Sequence, residues 1–394
     1  MKTWLVLGIF VFLATLSLVA QQYDDIALTH PAIQYAKPSH DAAASLLQRP
    51  DDLARLTADG PSGYLRSILQ ALDVPVSSQI MVFSQGSVQS NRIAADNPRA
   101  LYFNDSTVVG WVRGGFIEIA AQDPEQGTIF YIVDNGQVGR PTIARLDDCL
   151  SCHNSGRTND VPGMIEPMGH TRPLDRRWGG WYVTGNVGTI QHFGNVDLVK
   201  AGSGPVQTVR LASLEGTFNT SGYLTPYSDI AALMVFEHQM QMINLITRAG
   251  WETRVALHDK SLDARRPAML ERVSQLVDYM LFVDEAPIAS KLQGTSGFAE
   301  AFNSRGPRDG KGRSLRQLDL STRLLRYPCS YMIYSAQFDR LPAEAKAAIY
   351  QRLWAVLSGK EKDARYRRLS ADDRRAIIEI LRDTKSDLPK YFAG

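Results

Sequence analysis

Beyond its first twenty residues, the chain lacks any apolar stretch near the roughly 20 residues that a membrane span needs. It also lacks an excess of either charge, since 43 Lys and Arg stand against 41 Asp and Glu. The first absence excludes a membrane span in the mature chain, and the second argues against nucleic acid as the main partner. No internal repeat, P-loop, G-x-S-x-G or dinucleotide fingerprint is present either. What remains is a globular composition, 44% hydrophobic, with enough residues for about two domains.

The first twenty residues read MKTWLVLGIFVFLATLSLVA. One Lys precedes an apolar run, and small residues follow up to Ala20, which is the layout of a secretory signal peptide. We predict cleavage before Gln21, with an uncleaved anchor as the alternative because Leu18 suits a cleavage site poorly. The mature protein is therefore expected in the periplasm or another compartment outside the cytoplasm.

Short β-type runs dominate the first half of the mature chain. Residues 41–74 look helical and precede five runs rich in Val, Ile, Tyr and Phe: QIMVFS, RALYFND, TVVGWVRG, FIEIAAQD and GTIFYIVD. Turn residues separate these runs, so they predict the strands and hairpins of an antiparallel sheet. WYVTGNVGTIQHF, at 181–193, predicts a further return to strand structure. Together these segments give a β-rich region over 21–225.

From Ser228 onward the apolar residues recur with a period of 3.6, which predicts helices. The predicted helices cover 228–249, 267–283, 342–358 and 371–383. Ser228 is expected to cap the first, and Ser370 with Asp373 gives the last a start close to a capping box. The sequence thus predicts an α+β fold, in which a β-rich N-terminal and middle region is followed by an all-helical region over 226–394.

Cysteine is scarce: the whole chain has three, and two of them lie in DDCLSCHNS at 147–155. Cys149, Cys152 and His153 form C-x-x-C-H, the attachment sequence of a c-type haem in an exported protein. The two thiols add to the two vinyl groups of the porphyrin, and the adjacent His binds the iron as an axial ligand. Because bacteria attach this haem outside the cytoplasm, the predicted export supports the interpretation. We predict one covalently attached haem c in the β-rich region.

A zinc site and a redox dithiol are alternative interpretations of the same cysteines. Cys149, Cys152, Cys329 and one His would make a Cys3His set, but the second close cysteine pair that is usual in structural zinc sites is absent. A thioredoxin-like dithiol normally lies in a βαβ unit, which the flanking residues do not predict. Cys329, within RYPCSYMIYS, is expected to be a small buried thiol.

CLSCH matches the attachment signature of c-type cytochromes at every fixed position, and the chain resembles that family over these five residues. More widely, NPRALYFND, CLSCHNS, RWGGWYVTG and RYPCSYMIYS resemble a group of exported bacterial proteins described only as cytochrome c domain-containing. The resemblance implies one haem c within a larger fold, and it implies no substrate. The chain departs from a compact class I cytochrome, because a predicted sheet precedes the motif.

The residue on the other face of the iron is left open by the sequence. His192 is the preferred metal ligand, because it follows a predicted strand in a glycine-rich stretch where the chain could approach the porphyrin. An open or water-bound position is an alternative, and the other candidate ligands are Met164, Met168, His170 and His238. Cationic and indole side chains soon after the motif are expected to hold the haem and its propionates, since Arg pairs with carboxylates and Trp packs on the ring. These cofactor-binding candidates are Arg176, Arg177 and Trp178.

These residues predict an exported monohaem c-type cytochrome that passes electrons to a redox partner protein. The alternative is a haem c enzyme, or a gas or redox sensor, with an open or exchangeable sixth coordination site, because the chain is large for a plain electron carrier. A di-haem peroxidase is excluded, since it needs two attachment motifs and the chain has one.

Overall fold

A six-stranded antiparallel sheet lies at the centre of the computed structural model, which describes residues 26–134, 141–165, 169–196 and 207–393. Each strand pairs with the next one in sequence, so the sheet is a simple meander. The strands are Ile80–Val82 (β1), Arg99–Phe103 (β2), Thr107–Trp111 (β3), Ile117–Asp123 (β4), Gly127–Val133 (β5) and Ile143–Arg145 (β6). The first five confirm the predicted strands, and β6 is a short strand that the sequence did not reveal.

Nearly every residue of β2 to β5 is buried, and since successive strand residues point to opposite sides, both faces of this sheet are covered. One face packs on the helices Ala42–Leu47 (α1), Pro50–Ala54 (α2) and Leu65–Ala71 (α3), which lie N-terminal to the sheet. The other face carries Leu101, Phe103 and Phe130 into a core shared with the C-terminal helices. The sheet is therefore the middle layer of the fold, and the predicted α+β class is confirmed.

A 29-residue helix, Ile230–His258, spans the second face of the sheet and is buried along most of its length. The motif helix Leu150–His153 is α4, and this long helix is α5. Phe236 packs edge-on against Phe103, with ring centroids 5.2 Å apart, and the Gln239 amide donates to the Asn104 carbonyl at 2.7 Å. The helices after α5 are Leu262–Met280 (α6), Phe298–Ser304 (α7), Ala336–Asp339 (α8), Ala343–Leu357 (α9) and Ala371–Thr384 (α10). None of the helices in the described ranges is long and apolar enough to cross a membrane.

Two of the predicted helix starts differ from the structure, and one is confirmed. The cap of α5 is Asp229 rather than Ser228, because the Ser228 hydroxyl is used elsewhere: it accepts from Met81 N–H and donates to the Tyr182 carbonyl. Helix α6 begins at Leu262, five residues before the start predicted at residue 267. The capping box of Ser370 and Asp373 is present at the start of α10.

The prediction of a strand at 181–193 is wrong. The segment touches the free edge of β1 for only a few residues, where Tyr182 N–H donates to the Met81 carbonyl at 2.9 Å. Gly185 and Gly188 then adopt φ values of 127° and 55°, which turn the backbone out of the sheet direction. The aromatic and β-branched residues of this segment therefore pack as a loop rather than extending the sheet.

Asp229 joins the start of α5 to a loop from the C-terminal region, and its removal tests that connection. One carboxylate oxygen accepts from the backbone N–H groups of Ala231 and Ala232, and the other accepts from Thr295 N–H and from both donors of Ser296. We expect Asp229→Ala to lower the free energy of unfolding by about 3 kcal/mol, because it leaves several buried donors unsatisfied.

Urea denaturation measures this effect as a lower midpoint at an unchanged slope. The matched control is Asp263→Ala, which removes an acidic side chain that is 95% exposed in the first turn of α6. The control should change stability by less than about 0.5 kcal/mol. Equal effects of the two substitutions would contradict the assignment of Asp229 as a buried connector.

Candidate functional site

The motif occupies one short helical segment directly after β6. A 3-10 turn over Asp147–Cys149 continues into α4, so Cys149, Cys152 and His153 share helical backbone. Positions i, i+3 and i+4 of a helix lie on one face, which places both thiols and the imidazole on the same side. Cys149 is half-buried against the core and Cys152 is exposed, and neither forms a disulfide.

The His153 ring is held in one orientation by Gly163. Nδ1 lies 2.9 Å from the Gly163 carbonyl oxygen, and Gly163 N–H donates back to the His153 carbonyl at 2.9 Å. A carbonyl oxygen only accepts, so Nδ1 carries the ring proton and Nε2 keeps its lone pair. Nε2 has no hydrogen-bond partner among the described residues. This is the arrangement that metal-binding histidines usually have, with the second ring nitrogen donating to a fixed acceptor.

The loop that carries Gly163 is wedged between the sheet and α5. Thr128 N–H, at the start of β5, donates to the Pro162 carbonyl at 2.9 Å. The Asn244 side chain then binds the Met164 backbone twice, accepting from its N–H at 3.0 Å and donating to its carbonyl at 2.7 Å. A Cβ at Gly163 would lie 2.2 Å from Asn244 Oδ1, so only glycine fits here. The acceptor for His153 is thus positioned from two sides.

The environment of His153 and Cys149 keeps both groups neutral. Burial lowers the pKa of His153, against an opposing effect of the Gly163 carbonyl, and Phe130 packs on the ring with centroids 4.7 Å apart. Burial raises the pKa of the Cys149 thiol to about 11, with Glu118 adding to the rise and Arg99 opposing it. A reactive dithiol needs a lowered thiol pKa, so this environment does not favour the redox-dithiol interpretation.

The third cysteine is a free thiol in the core. Cys329 is fully buried, as the sequence suggested, and burial raises the pKa of its thiol to about 12. Across the described ranges, no group of three converging metal-ligand atoms includes a cysteine. The geometry therefore does not support the Cys3His zinc interpretation.

Two of the three predicted haem-binding residues, Arg177 and Trp178, contact a buried carboxylate. Arg177 is 2% exposed, and its Nη1 lies 3.2 Å from Glu237 Oε2 on α5. Trp178 Nε1 donates to Glu237 Oε1 at 3.0 Å, while Arg176 is exposed. Because a buried charge requires a partner, this ion pair has a structural role of its own. The assignment of Arg176, Arg177 and Trp178 to a haem stays a prediction.

Two of the candidate sixth ligands are bonded to each other in the helical core. His170 Nδ1 lies 3.1 Å from His238 Nδ1, and His238 Nε2 lies 2.8 Å from the Ser330 hydroxyl. Both ring nitrogens of His238 are therefore used within the protein. Met164 follows the carbonyl that binds His153 Nδ1, so its backbone lies behind the ring, away from Nε2. Met168 lies outside the described residues.

His192 is buried, and neither ring nitrogen has a well-placed hydrogen-bond partner in the described part of the chain. Burial, aided by Arg210, lowers its pKa to about 4. Its ring packs edge-on against Trp178, with centroids 5.5 Å apart, and Trp178 binds Glu237. His153 is instead tied through its loop to Asn244, seven residues or about 10 Å further along α5. His192 as an iron ligand stays a prediction.

Arg99 and Glu118 are neighbours of the motif that the sequence analysis missed. They form an ion pair across β2 and β4, over Gly110 of β3, where a Cβ would meet both side chains. Both act on the pKa values of Cys149 and His153, which places them beside the motif. Arg99 Nε is buried and finds no partner among the described residues. The available signal was a charged residue at a strand position whose neighbours on the same face are apolar.

Comparisons of the chain with protein-family models, with curated proteins and with solved structures find no match. The resemblance to c-type cytochromes therefore rests on CLSCH, and the function is argued from the geometry around it.

A buried carboxyl group, that of Glu285, lies beside the His170–His238 pair. Its pKa is raised, whereas the pKa values of both histidines are lowered. Burial lowers the pKa of His238 to about 3 and that of His170 well below its usual value. Burial raises the pKa of Glu285 to about 7, while Leu324 N–H donates to its carboxyl group. The backbone N–H of the next residue, Ala286, donates to the His170 carbonyl at 2.9 Å, which fixes the two groups as neighbours.

Opposite pKa shifts predict opposite effects on stability between pH 5 and 6. The two histidines stay neutral when folded but take up protons when unfolded below about pH 6.5, so they destabilise the fold as pH falls. Glu285 holds its proton when folded and releases it when unfolded. Its contribution to the free energy of unfolding therefore rises as the pH falls through the same range. We expect Glu285→Gln to steepen the loss of unfolding free energy by about 1.2 kcal/mol per pH unit, and His238→Gln to reduce it by a similar amount. Urea unfolding at pH 5.0, 5.5 and 6.0 measures the slopes, and equal slopes in the three proteins would contradict the buried states described.

Proposed function

We propose that the protein is an exported c-type cytochrome that carries one covalently bound haem and transfers electrons to a redox partner protein. Cys149 and Cys152 would form the two thioether bonds, and His153 Nε2 would bind the iron. When bound, the haem supplies one-electron exchange between ferric and ferrous iron. The observation that carries the proposal is the C-x-x-C-H turn whose histidine is held through Nδ1 by the Gly163 carbonyl, so that Nε2 remains available.

The exposure of the motif supports an electron-transfer role. Cys152 is exposed and Cys149 is half-buried, so a porphyrin attached to both thiols would have one edge near the surface. Such an edge gives a partner protein short access to the ring. Phe130 and the Gly163 loop form the wall behind His153 and keep water from its Nδ1 side.

Arg99 is a further candidate to hold the haem, although the sequence did not suggest it. It opposes the rise in the pKa of Cys149 and adds to the fall in the pKa of His153, so its charge acts on both attachment residues. Its buried Nε lacks a partner among the described residues, whereas the donors of Arg177 bind Glu237 and backbone carbonyls. We therefore propose Arg99, beside the predicted Arg176 and Arg177, as a donor to the haem or its propionates.

A haem enzyme or a gas or redox sensor is the second candidate function, and the placement of the predicted ligands favours it. His238 has both nitrogens bonded, the Met164 backbone N–H is bound by Asn244, and His192 packs on Trp178, whose partner Glu237 lies about two helical turns from Asn244 along α5. An iron without a second protein ligand binds small molecules such as peroxide or nitric oxide.

Covalent haem is tested by pyridine haemochrome spectroscopy on the full chain, expressed in a host with haem c maturation. We expect the wild type to retain one haem per chain after acid–acetone extraction, because thioether bonds resist it. Cys149→Ala/Cys152→Ala should lose this haem. The matched control, Cys329→Ala, removes the third thiol from the core and should retain it. A wild type without a covalent haem band would refute the proposal.

The optical and EPR spectra of the purified protein separate the two candidate functions. Electron transfer with His192 as sixth ligand predicts a low-spin ferric spectrum that cyanide changes slowly, because two protein ligands close the iron. His192→Ala should then give a high-spin spectrum, and His238→Gln should leave the spectrum unchanged. A high-spin wild type that binds cyanide rapidly would contradict this ligation and support the enzyme or sensor.

A further inference from the structure

Three metal-ligand side chains meet where the N-terminal segment passes the C-terminal end of α5. His30 Nε2 lies 3.4 Å from Asp259 Oδ1, and His258 Nδ1 lies 2.9 Å from the same oxygen. The three donor atoms all lie within 4.8 Å of one another, and the two imidazole rings stand edge-on with centroids 5.3 Å apart. Two of the seven histidines of the chain thus converge on one carboxylate, far from the motif in sequence.

The spacing of these donors fits a small divalent cation. For metal–ligand bonds of about 2.0 Å, the edges of a tetrahedron are about 3.3 Å long. The two measured distances, 2.9 and 3.4 Å, bracket this value. The side chains are between 21% and 49% exposed, which leaves a face open for the cation and for a bound water.

The two halves of the site are positioned independently. His30 begins a turn in which its own carbonyl accepts from the backbone N–H groups of Ile33 and Gln34. The Tyr35 hydroxyl fixes this turn to the sheet by donating to the Thr128 carbonyl at 2.6 Å. His258 is the last residue of α5 and Asp259 is its C-cap. Because the C-terminal end of a helix carries partial negative charge, a cation is favoured there.

The donor set selects the kind of metal. Two imidazole nitrogens and one carboxylate oxygen suit Zn²⁺ and related transition-metal ions better than Mg²⁺ or Ca²⁺, which prefer oxygen ligands. His30 Nδ1 accepts from Ala32 N–H at 3.1 Å. A metal at Nε2 moves the ring proton to Nδ1, so this contact is lost on binding and the affinity is moderate.

We infer that His30, His258 and Asp259 form a site for Zn²⁺ or a related divalent transition-metal ion, which ties the N-terminal segment to the end of α5. The site is independent of the motif and of any haem. Its effect is to join the segment that precedes α1 to the longest helix of the fold.

The probe is ZnCl2, titrated calorimetrically into the purified full chain after treatment with a chelator, with MgCl2 in a parallel titration. We expect one Zn²⁺ to bind per chain and to raise the melting temperature, with no response to Mg²⁺. His258→Gln and Asp259→Asn should each weaken zinc binding by about tenfold or more, because each removes a ligand. His40→Gln is the matched control, since His40 is an exposed histidine outside the site, and it should bind zinc like the wild type.

Circular dichroism and melting without zinc show whether the variants fold, and equal values there assign a loss of binding to the site itself. Absence of zinc binding by the wild type, or wild-type affinity in both ligand variants, would overturn the inference. The inference would also be overturned if the wild type does not bind zinc while His258→Gln melts at a lower temperature than the wild type. The three side chains would then form only a hydrogen-bonded contact.

Discussion

Helix α5 is so deeply buried that its polar side chains must find partners within the protein, and the surrounding loops depend on this requirement. Burial of an unsatisfied polar group costs about 1–3 kcal/mol, so each such side chain fixes the segment that satisfies it. Glu237 holds Arg177 and Trp178, and Asn244 holds the Met164 backbone. Long stretches without regular secondary structure therefore acquire defined positions from one helix.

The motif owes its geometry to this arrangement and to the sheet. On its N-terminal side, Leu146 N–H donates to the Phe130 carbonyl and continues the direction of the strands. On its C-terminal side, Asn244 and Thr128 fix the loop whose Gly163 carbonyl orients His153. Cys149, Cys152 and His153 thus lie on a single helical turn that is held at both ends, although the turn itself is too short to be stable alone.

Local patterns predicted much of this fold, and long-range pairing explains where prediction failed. Enrichment in β-branched and aromatic residues, as in GTIFYIVD, indicates strands, and it located β1 to β5. The same composition misled at 181–193, where Gly185 turns the chain away. Arg177 and Trp178 follow the motif closely in sequence, which suggested a haem contact. Their partner Glu237 lies about sixty residues later, and no local pattern shows such a pairing. The three motif residues were identifiable because the C-x-x-C-H pattern lies within five consecutive positions.

A proximal histidine needs an acceptor for its Nδ1 proton and an apolar wall beside its ring, and no particular fold is required to supply them. Here a sheet residue, Phe130, provides the wall beside His153, and the carbonyl of a loop glycine, Gly163, provides the acceptor. The Nδ1 side of His153 is therefore determined by the fold, whatever the protein does. Under the proposed function, the choice between electron transfer and ligand chemistry would depend on the Nε2 side. His192 is a buried imidazole whose two ring nitrogens lack a hydrogen-bond partner in the described part of the chain, so under the proposed function the loop between Val183 and Asn195 would determine whether a second histidine closes the iron.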